Sequence, residues 1–308
     1  MSDVNQQLHT IGDYVRFATS QFNQAELFFG HGTDNAWDEA INLVFFALHL
    51  PPKLDDQLML CRVTTDEKLA ILNLVNERIE QQCPAAYITQ QAFFAGLPFY
   101  VDERVLVPRS PIAELIEQRF IHQLPEHTTP NRVLDLCTGS GCIAIACAYA
   151  FPLAEIDALD LSIDALDVAQ INIENHGLLA QVIPIQSDVF SGVAGEKYDL
   201  IVSNPPYVDQ QDVDDLPYEY SHEPAMGLGC GEDGLDIVRI ILAQAAEHLT
   251  KQGILVCEVG NSQVHVERVY PEVPFQWLSF QRGGHGVFVL SYAQLLAHSE
   301  IFQERITR

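Results

Sequence analysis

The chain has 308 residues, 48% of them hydrophobic, which suits a soluble globular protein with room for one large domain and a small one. Its 16 basic residues against 42 acidic ones give a formal charge of −26, which repels naked nucleic acid and would attract a basic protein, or would simply keep the chain soluble. No apolar N-terminal segment reads as a signal, the apolar runs Leu43–Leu50 and Cys142–Phe151 are too short to span a bilayer, and the seven cysteines include no C-x-x-C pair; a cytoplasmic protein without membrane, disulfide or metal is expected.

Residues 1–90 read as a small helical domain, expected to recognise substrate. Ile11, Tyr14, Ala18 and Phe22 lie at helical spacing, as do Trp37, Ile41, Val44 and Leu48 before Pro51-Pro52. Thr64-Thr65-Asp66-Glu67 is a capping box that opens a helix with Leu69, Leu72, Val75 and Ile79 on one face, ending near Pro84. Residues 91–111 read as a β-hairpin linker, with strands at Phe94–Val101 and Val105–Val107 around Asp102-Glu103-Arg104. Pro108-Arg109-Ser110-Pro111 then starts a helix carrying Ile112, Leu115, Ile116 and Phe120.

From Arg132 onward, strands and helices alternate, which implies a mostly parallel α/β sheet with right-handed crossovers. The expected strands are Val133–Leu136, Ile156–Asp160, Val182–Gln186, Leu200–Ser203 and Ile254–Val259; the helices lie near Ile143–Ala150, Ile163–Asn175 and Leu235–Leu249. Pro274–Gln281 and Gly286–Tyr292 form a terminal strand pair that would place one antiparallel strand in the sheet.

Between the first strand and its helix, Asp135-Leu136-Cys137-Thr138-Gly139-Ser140-Gly141 makes a glycine-rich turn where a ligand could approach the backbone closely. Asp160, at the end of the next strand, stands where a carboxylate would grip ribose hydroxyls. Gly139-x-Gly141-x-x-Ala144 also fits the dinucleotide fingerprint, so a nicotinamide dehydrogenase is a rival. Asp135 argues against it, because a carboxylate before the turn opposes a pyrophosphate and suits the ammonium of S-adenosylmethionine. Asp188, after the third strand, could accept from an adenine amino group.

Asn204-Pro205-Pro206-Tyr207 follows the apolar run Tyr198–Ser203. Two prolines end the ladder, and the Asn204 side chain beside the Pro205 carbonyl makes a fork of two acceptors that can hold both hydrogens of an NH2 group. Tyr207 adds a ring for a planar group. The plain alternative is a strand-ending turn.

These stretches together resemble the class I S-adenosylmethionine-dependent methyltransferases, and more narrowly the protein-glutamine N5-methyltransferases of the HemK/PrmB type. The resemblance covers nearly the whole chain. It implies a Rossmann-like sheet with one antiparallel strand in a methyltransferase domain at 112–308, beside the N-terminal helical domain and the hairpin linker. Pro108-Arg109-Ser110-Pro111-Ile112-Ala113-Glu114-Leu115, Cys137 in the turn, Leu216-Pro217 through Glu223-Pro224, and Gly231-Glu232-Asp233-Gly234-Leu235-Asp236 are similar to the branch that modifies large-subunit ribosomal protein L-three. The resemblance implies cofactor binding by Asp135, Cys137, Thr138, Gly139, Ser140, Gly141, Asp160, Asp188, Val189 and Asn204. It implies substrate binding by Asn204, Pro205, Pro206 and Tyr207, with Asn204, Pro205 and Tyr207 catalytic. The partner implied is a basic ribosomal protein, which the acidic stretch Asp209, Asp212, Asp214, Asp215, Glu219 and Glu223 could guide, unless that stretch is only a solvated loop. Peptide release factors as substrate, adenine amino-methylation, and a non-catalytic ribosome-assembly role are the alternatives.

Overall fold

The computed structural model describes residues 7–51 and 55–306. The chain divides into two compact units, Met1–Ala92 with Pro217–His222, and Phe93–Leu216 with Glu223–Arg308.

The first unit is helical: α1 (Ile11–Gln24), α2 (Ala36–Ala47), α3 (Thr65–Gln81) and α4 (Ala85–Thr89). Both α1 and α3 open with a complete capping box, Thr10 with Asp13 and Thr64 with Glu67, which satisfies helix N–H groups that would otherwise lack partners. The stripe of α1 is buried as its spacing predicts. The faces of α2 and α3 differ from the expected ones: α2 turns Ala36, Ala40, Leu43 and Val44 inward, leaving Trp37 46% exposed, and α3 turns in Ile71, Val75 and Arg78 and leaves Leu69 50% exposed. Pro52 lies outside the described residues.

A buried ion cluster accounts for the rotation. Arg78 Nε donates to Glu39 Oε1 at 2.6 Å, its Nη2 to the Phe28 carbonyl at 2.9 Å, and its Nη1 lies 3.6 Å from Glu219 Oε1. Glu219 in turn accepts from the Phe28 N–H at 2.8 Å, and Thr33 donates to Glu39 Oε2 at 2.9 Å. Burying a charge is costly unless it is paired and hydrogen-bonded, so α2 and α3 present Glu39 and Arg78 to each other.

A two-stranded hairpin, β1 (Ala92–Phe94) and β2 (Leu97–Phe99), follows and turns at Ala95-Gly96, both with positive φ. The expected second strand at Val105–Val107 is absent. Instead, Asp102 gathers its own surroundings: it accepts from the Arg104 N–H at 3.1 Å, the Arg104 guanidinium at 2.6 Å and the Tyr100 hydroxyl at 2.8 Å. That local side-chain competition with the ladder makes residues 102–104 a turn without a paired strand.

The second unit is built on a seven-stranded sheet. Its strands are β3 (Arg132–Leu136), β4 (Glu155–Asp160), β5 (Val182–Gln186), β6 (Tyr198–Ser203), β7 (Leu249–Glu258), β8 (Gln276–Trp277) and β9 (Val287–Ser291), in the order β5-β4-β3-β6-β7-β9-β8. All pairings from β5 to β7 are parallel, and β9 runs antiparallel to β7 and β8, as the terminal strand pair predicts. One face is covered by α5 (Ile112–Glu117), α6 (Cys142–Ala150) and Ile173 of α7 (Ile163–Asn175); the other by α10 (Asp236–His248) and by residues of the C-terminal helices, Val266, Leu295 and Phe302. Between β6 and α10 lie the short α8 (Gln210–Asp214) and α9 (Ala225–Leu228). Among the described residues no helix is long and apolar enough to cross a membrane.

Removing one member of the buried cluster leaves a charge without its partner. Arg78→Ala is expected to destabilise the helical unit by ~3–5 kcal/mol, read as a lower denaturant midpoint; a change below ~1 kcal/mol would show that the cluster contributes little.

Candidate active site

The parallel register sets the site. Leu136 pairs with Leu159 on one side and Ser203 on the other, and Asp160 pairs with Gln186. The residues that follow β3, β4, β5 and β6 therefore leave the sheet along one edge, its carboxyl end, which is where open α/β sheets bind ligands. Side-to-side bonds tie these exits together: Thr138 N–H donates to the Leu159 carbonyl, Ser187 N–H to the Asp160 carbonyl, and Ser203 Oγ to the Leu136 carbonyl, each at 2.9 Å.

Within the glycine turn, Cys137, Gly139 and Gly141 all have positive φ, and a Cβ at Gly139 would meet nothing within 4 Å, so the backbone there borders open space. Gly141 is also close-packed, since its Cβ would sit 3.2 Å from Ala169 Cβ of α7. Ser140 is buried, with its carbonyl held by Asn172 Nδ2 at 2.9 Å.

Asp135 is fully buried on the α6 face of β3, where strand alternation puts it beside Val133. Its Oδ2 accepts from Thr138 Oγ1 at 2.5 Å and from the Ala144 N–H at 3.0 Å, which closes the turn onto α6. Its Oδ1 is buried without a hydrogen-bond partner. Burial pushes this carboxyl up to about 7 against the pull of those two donors. Asp160 accepts from the Gly139 N–H and the Ser162 N–H, each at 2.9 Å, and burial raises it as well. Burial also raises the Cys137 thiol well above its usual range, so it is a neutral group of the turn. Asp188 is exposed beside buried Val189, whose φ is +46°; Ser187 Oγ fixes that bend by donating to the Val189 carbonyl at 2.7 Å.

At the end of β6, Pro205 is buried and Asn204 Oδ1 is a buried acceptor without a partner. An unpaired acceptor of this kind costs ~1–3 kcal/mol. Tyr207 is held at both ends: its hydroxyl donates to Glu258 Oε1 at 3.0 Å, and its carbonyl accepts from Ser262 Oγ at 2.7 Å. Its ring edge lies against Gly260, where a Cβ would fall 2.5 Å from Tyr207 Cε2.

The sequence reading did not single out Glu258, Ser110 or Ser262 as site residues. Glu258, the last residue of β7, is buried and accepts from Ser110 Oγ at 2.5 Å as well as from Tyr207. A carboxylate inside the apolar run Ile254–Val259 was the available signal. Arg109 forms a two-point pair with Glu223, at 2.6 and 2.7 Å, and Glu223 also accepts from the Val107 N–H at 3.1 Å.

These pairings take Glu219 and Glu223 out of the acidic stretch expected to guide a partner. Glu219 and Glu223 are buried in separate ion pairs with Arg78 and Arg109, and Asp209 caps α8 and lies 3.3 Å from His265 Nε2. Asp212 and Asp215 are exposed, while the Asp214 side chain lies outside what is described. Among the described residues no group of three or more His, Cys, Asp or Glu could hold a metal ion.

Residues 117–219 match the family model of the methyltransferase small domain. The chain is 45% identical over 302 residues to a ribosomal protein uL3 glutamine methyltransferase of Francisella tularensis subsp. tularensis, covering 98% of this chain and 96% of that one. It is 49% identical over 295 residues to the protein of the same name from Xanthomonas campestris pv. campestris, covering 95% and 94%. Among solved structures, a methyltransferase from Pyrococcus furiosus aligns with a TM-score of 0.46 at 17% identity, covering 64% of this chain and 89% of that one.

The raised Asp135 carboxyl has a consequence for stability. It ionises near 3.8 when unfolded and at about 7 when folded, so its contribution is full below about 4 and is lost as pH rises through about 7. Asp135→Asn removes that titration, and denaturation curves across this range are expected to be flatter for the variant, by up to ~4 kcal/mol. Equal slopes for the two proteins would show that Asp135 titrates normally.

Proposed function

The chain belongs to the family of ribosomal protein uL3 glutamine methyltransferases, and from that premise we propose that it transfers a methyl group from S-adenosyl-L-methionine to the side-chain amide nitrogen, N5, of a glutamine in ribosomal protein uL3. The observation that carries the reading is the buried, unpartnered Oδ1 of Asn204 at the carboxyl edge of the sheet. A buried acceptor left empty is disfavoured unless a donor arrives, and the amide N–H of a bound glutamine is such a donor.

The cofactor residues fit the same reading. The open side of Gly139 gives the ligand backbone access, the unpaired Asp135 Oδ1 suits an ammonium, and the Asp160 oxygens keep lone pairs for ribose hydroxyls. Cys137, Thr138, Ser140 and Gly141 would shape the turn that holds the cofactor, with Asp188 accepting from its adenine amino group and Val189 available to the adenine. When bound, S-adenosyl-L-methionine supplies a methyl group made electrophilic by its sulfonium.

The chain's own contribution is orientation. An amide nitrogen is a poor nucleophile because its lone pair is delocalised into the carbonyl. Asn204 Oδ1 and the Pro205 carbonyl each accept one N–H, which fixes the direction in which the nitrogen faces; Tyr207 packs on the amide plane, and Pro206 keeps the backbone extended. Both acceptors are neutral, so neither removes a proton before the nitrogen reacts. The formal charge of −26 favours a basic protein over nucleic acid as partner, and a ribosomal-protein substrate places the reaction in the cytoplasm.

The test is mass spectrometry after incubation with S-adenosylmethionine and either uL3 or a peptide release factor. One added methyl on a glutamine of uL3 alone is the expected result, and methylation of the release factor alone would overturn the choice of substrate. Asn204→Ala is expected to lower turnover by about a hundredfold or more while cofactor affinity is kept. Equal loss of both would remove Asn204 from the acceptor role.

A further inference from the structure

Glu258 joins two segments that are distant in sequence. Its Oε2 receives the Ser110 hydroxyl at 2.5 Å and its Oε1 the Tyr207 hydroxyl at 3.0 Å. A carboxylate buried with two neutral donors is an expensive element for a fold, since no ion pair compensates its desolvation. Arg109, beside Ser110, pulls weakly in the stabilising direction, but its guanidinium is bound at two points by Glu223.

The environment of Tyr207 shows what the carboxylate accomplishes. The carbonyl of Tyr207 is fixed by Ser262, and its ring edge is confined by Gly260, two residues beyond Glu258. A Cβ at Gly260 would overlap the ring, and one at Gly286 would fall 2.2 Å from the Gly260 carbonyl, so the Gly260 backbone is packed closely between the ring and Gly286. With both ends and one edge held, the ring has a single orientation.

On the basis of the acceptor-fork reading of Asn204–Tyr207 given above, we propose that Glu258 is a positioning residue for methyl transfer, which acts by fixing the hydroxyl of Tyr207 and anchoring it to Ser110. Ionised Glu258 accepts from both hydroxyls. Once Glu258 is protonated, one oxygen donates and the other still accepts: a proton on Oε1 turns the Tyr207 hydroxyl from donor to acceptor, and a proton on Oε2 leaves the Tyr207 bond in place but without its charge assistance, so in either case the hold on the ring weakens. Burial pushes this carboxyl up to about 7, so the change falls within the working range. The titratable and charged groups around it are Tyr207, Arg109 with its partner Glu223, and Cys257, the preceding residue of β7, whose thiol burial raises.

The experiment uses the full-length enzyme with uL3 and S-adenosylmethionine, and follows kcat, KM for uL3 and cofactor Kd from about pH 6 to about 9. The variants are Glu258→Gln, Tyr207→Phe and the double substitution. Each single variant is expected to lower kcat about tenfold, to leave cofactor Kd within about twofold, and to lose the rise of kcat with pH near 7. The double variant should be no worse than either single one, because the two residues act as a unit. A Glu258→Gln enzyme with wild-type kcat, or single losses that multiply in the double variant, would overturn the proposal. If Glu258→Gln does not fold, Ser110→Ala decides: removing one donor should move the kcat rise to higher pH, and an unmoved rise overturns the role. A wild-type enzyme inactive on both uL3 and the release factor would remove the fork reading and this inference with it, whereas an active wild type with an unaffected Glu258→Gln removes the inference alone.

Discussion

Leu136 faces Leu159 on one side and Ser203 on the other, and from that parallel register the arrangement of the site follows. Parallel strands bring chain ends of the same polarity to one edge, so the turn after β3, Asp160 at the end of β4 and Asn204 after β6 emerge side by side although they are far apart in sequence. A slip of one residue would turn Asp135 from the α6 face into the opposite core and detach the turn from the helix it caps.

Polar groups inside apolar surroundings set the finer positions. Arg78 selects the faces of α2 and α3, Asp135 closes the glycine turn, and Glu258 fixes Tyr207. Each would be costly alone and is tolerated because its hydrogen bonds leave few alternatives for the surrounding chain. Asp135 and Glu258 have no ion pair among the described residues, and burial raises both.

The segment after Tyr207 illustrates how a charge pattern divides. Val208 bridges to Gly229, so the intervening chain leaves and returns at one point. Its acids then serve separate ends: Glu219 belongs to the helical unit, Glu223 holds Arg109, and Asp212 and Asp215 are left exposed. A stretch that looks uniformly acidic in sequence is divided between internal pairing, at Glu219 and Glu223, and solvent, at Asp212 and Asp215.

The strand and helix alternation after Arg132, the antiparallel terminal strand, the glycine turn and the Asn204–Tyr207 motif are legible from the amino-acid order, because periodicity, capping residues and proline act locally. The same local signals located Asp135, Asp160 and Asn204 at strand ends. The buried faces of α2 and α3, the turn at Asp102, the internal pairing of Glu219 and Glu223, and the junction of Ser110, Glu258 and Tyr207 emerge on folding. The reason is physical: a hydrophobic pattern ranks side chains by their cost in apolar surroundings, and Arg78, Glu219, Glu223 and Glu258 are buried on account of partners brought beside them by folding.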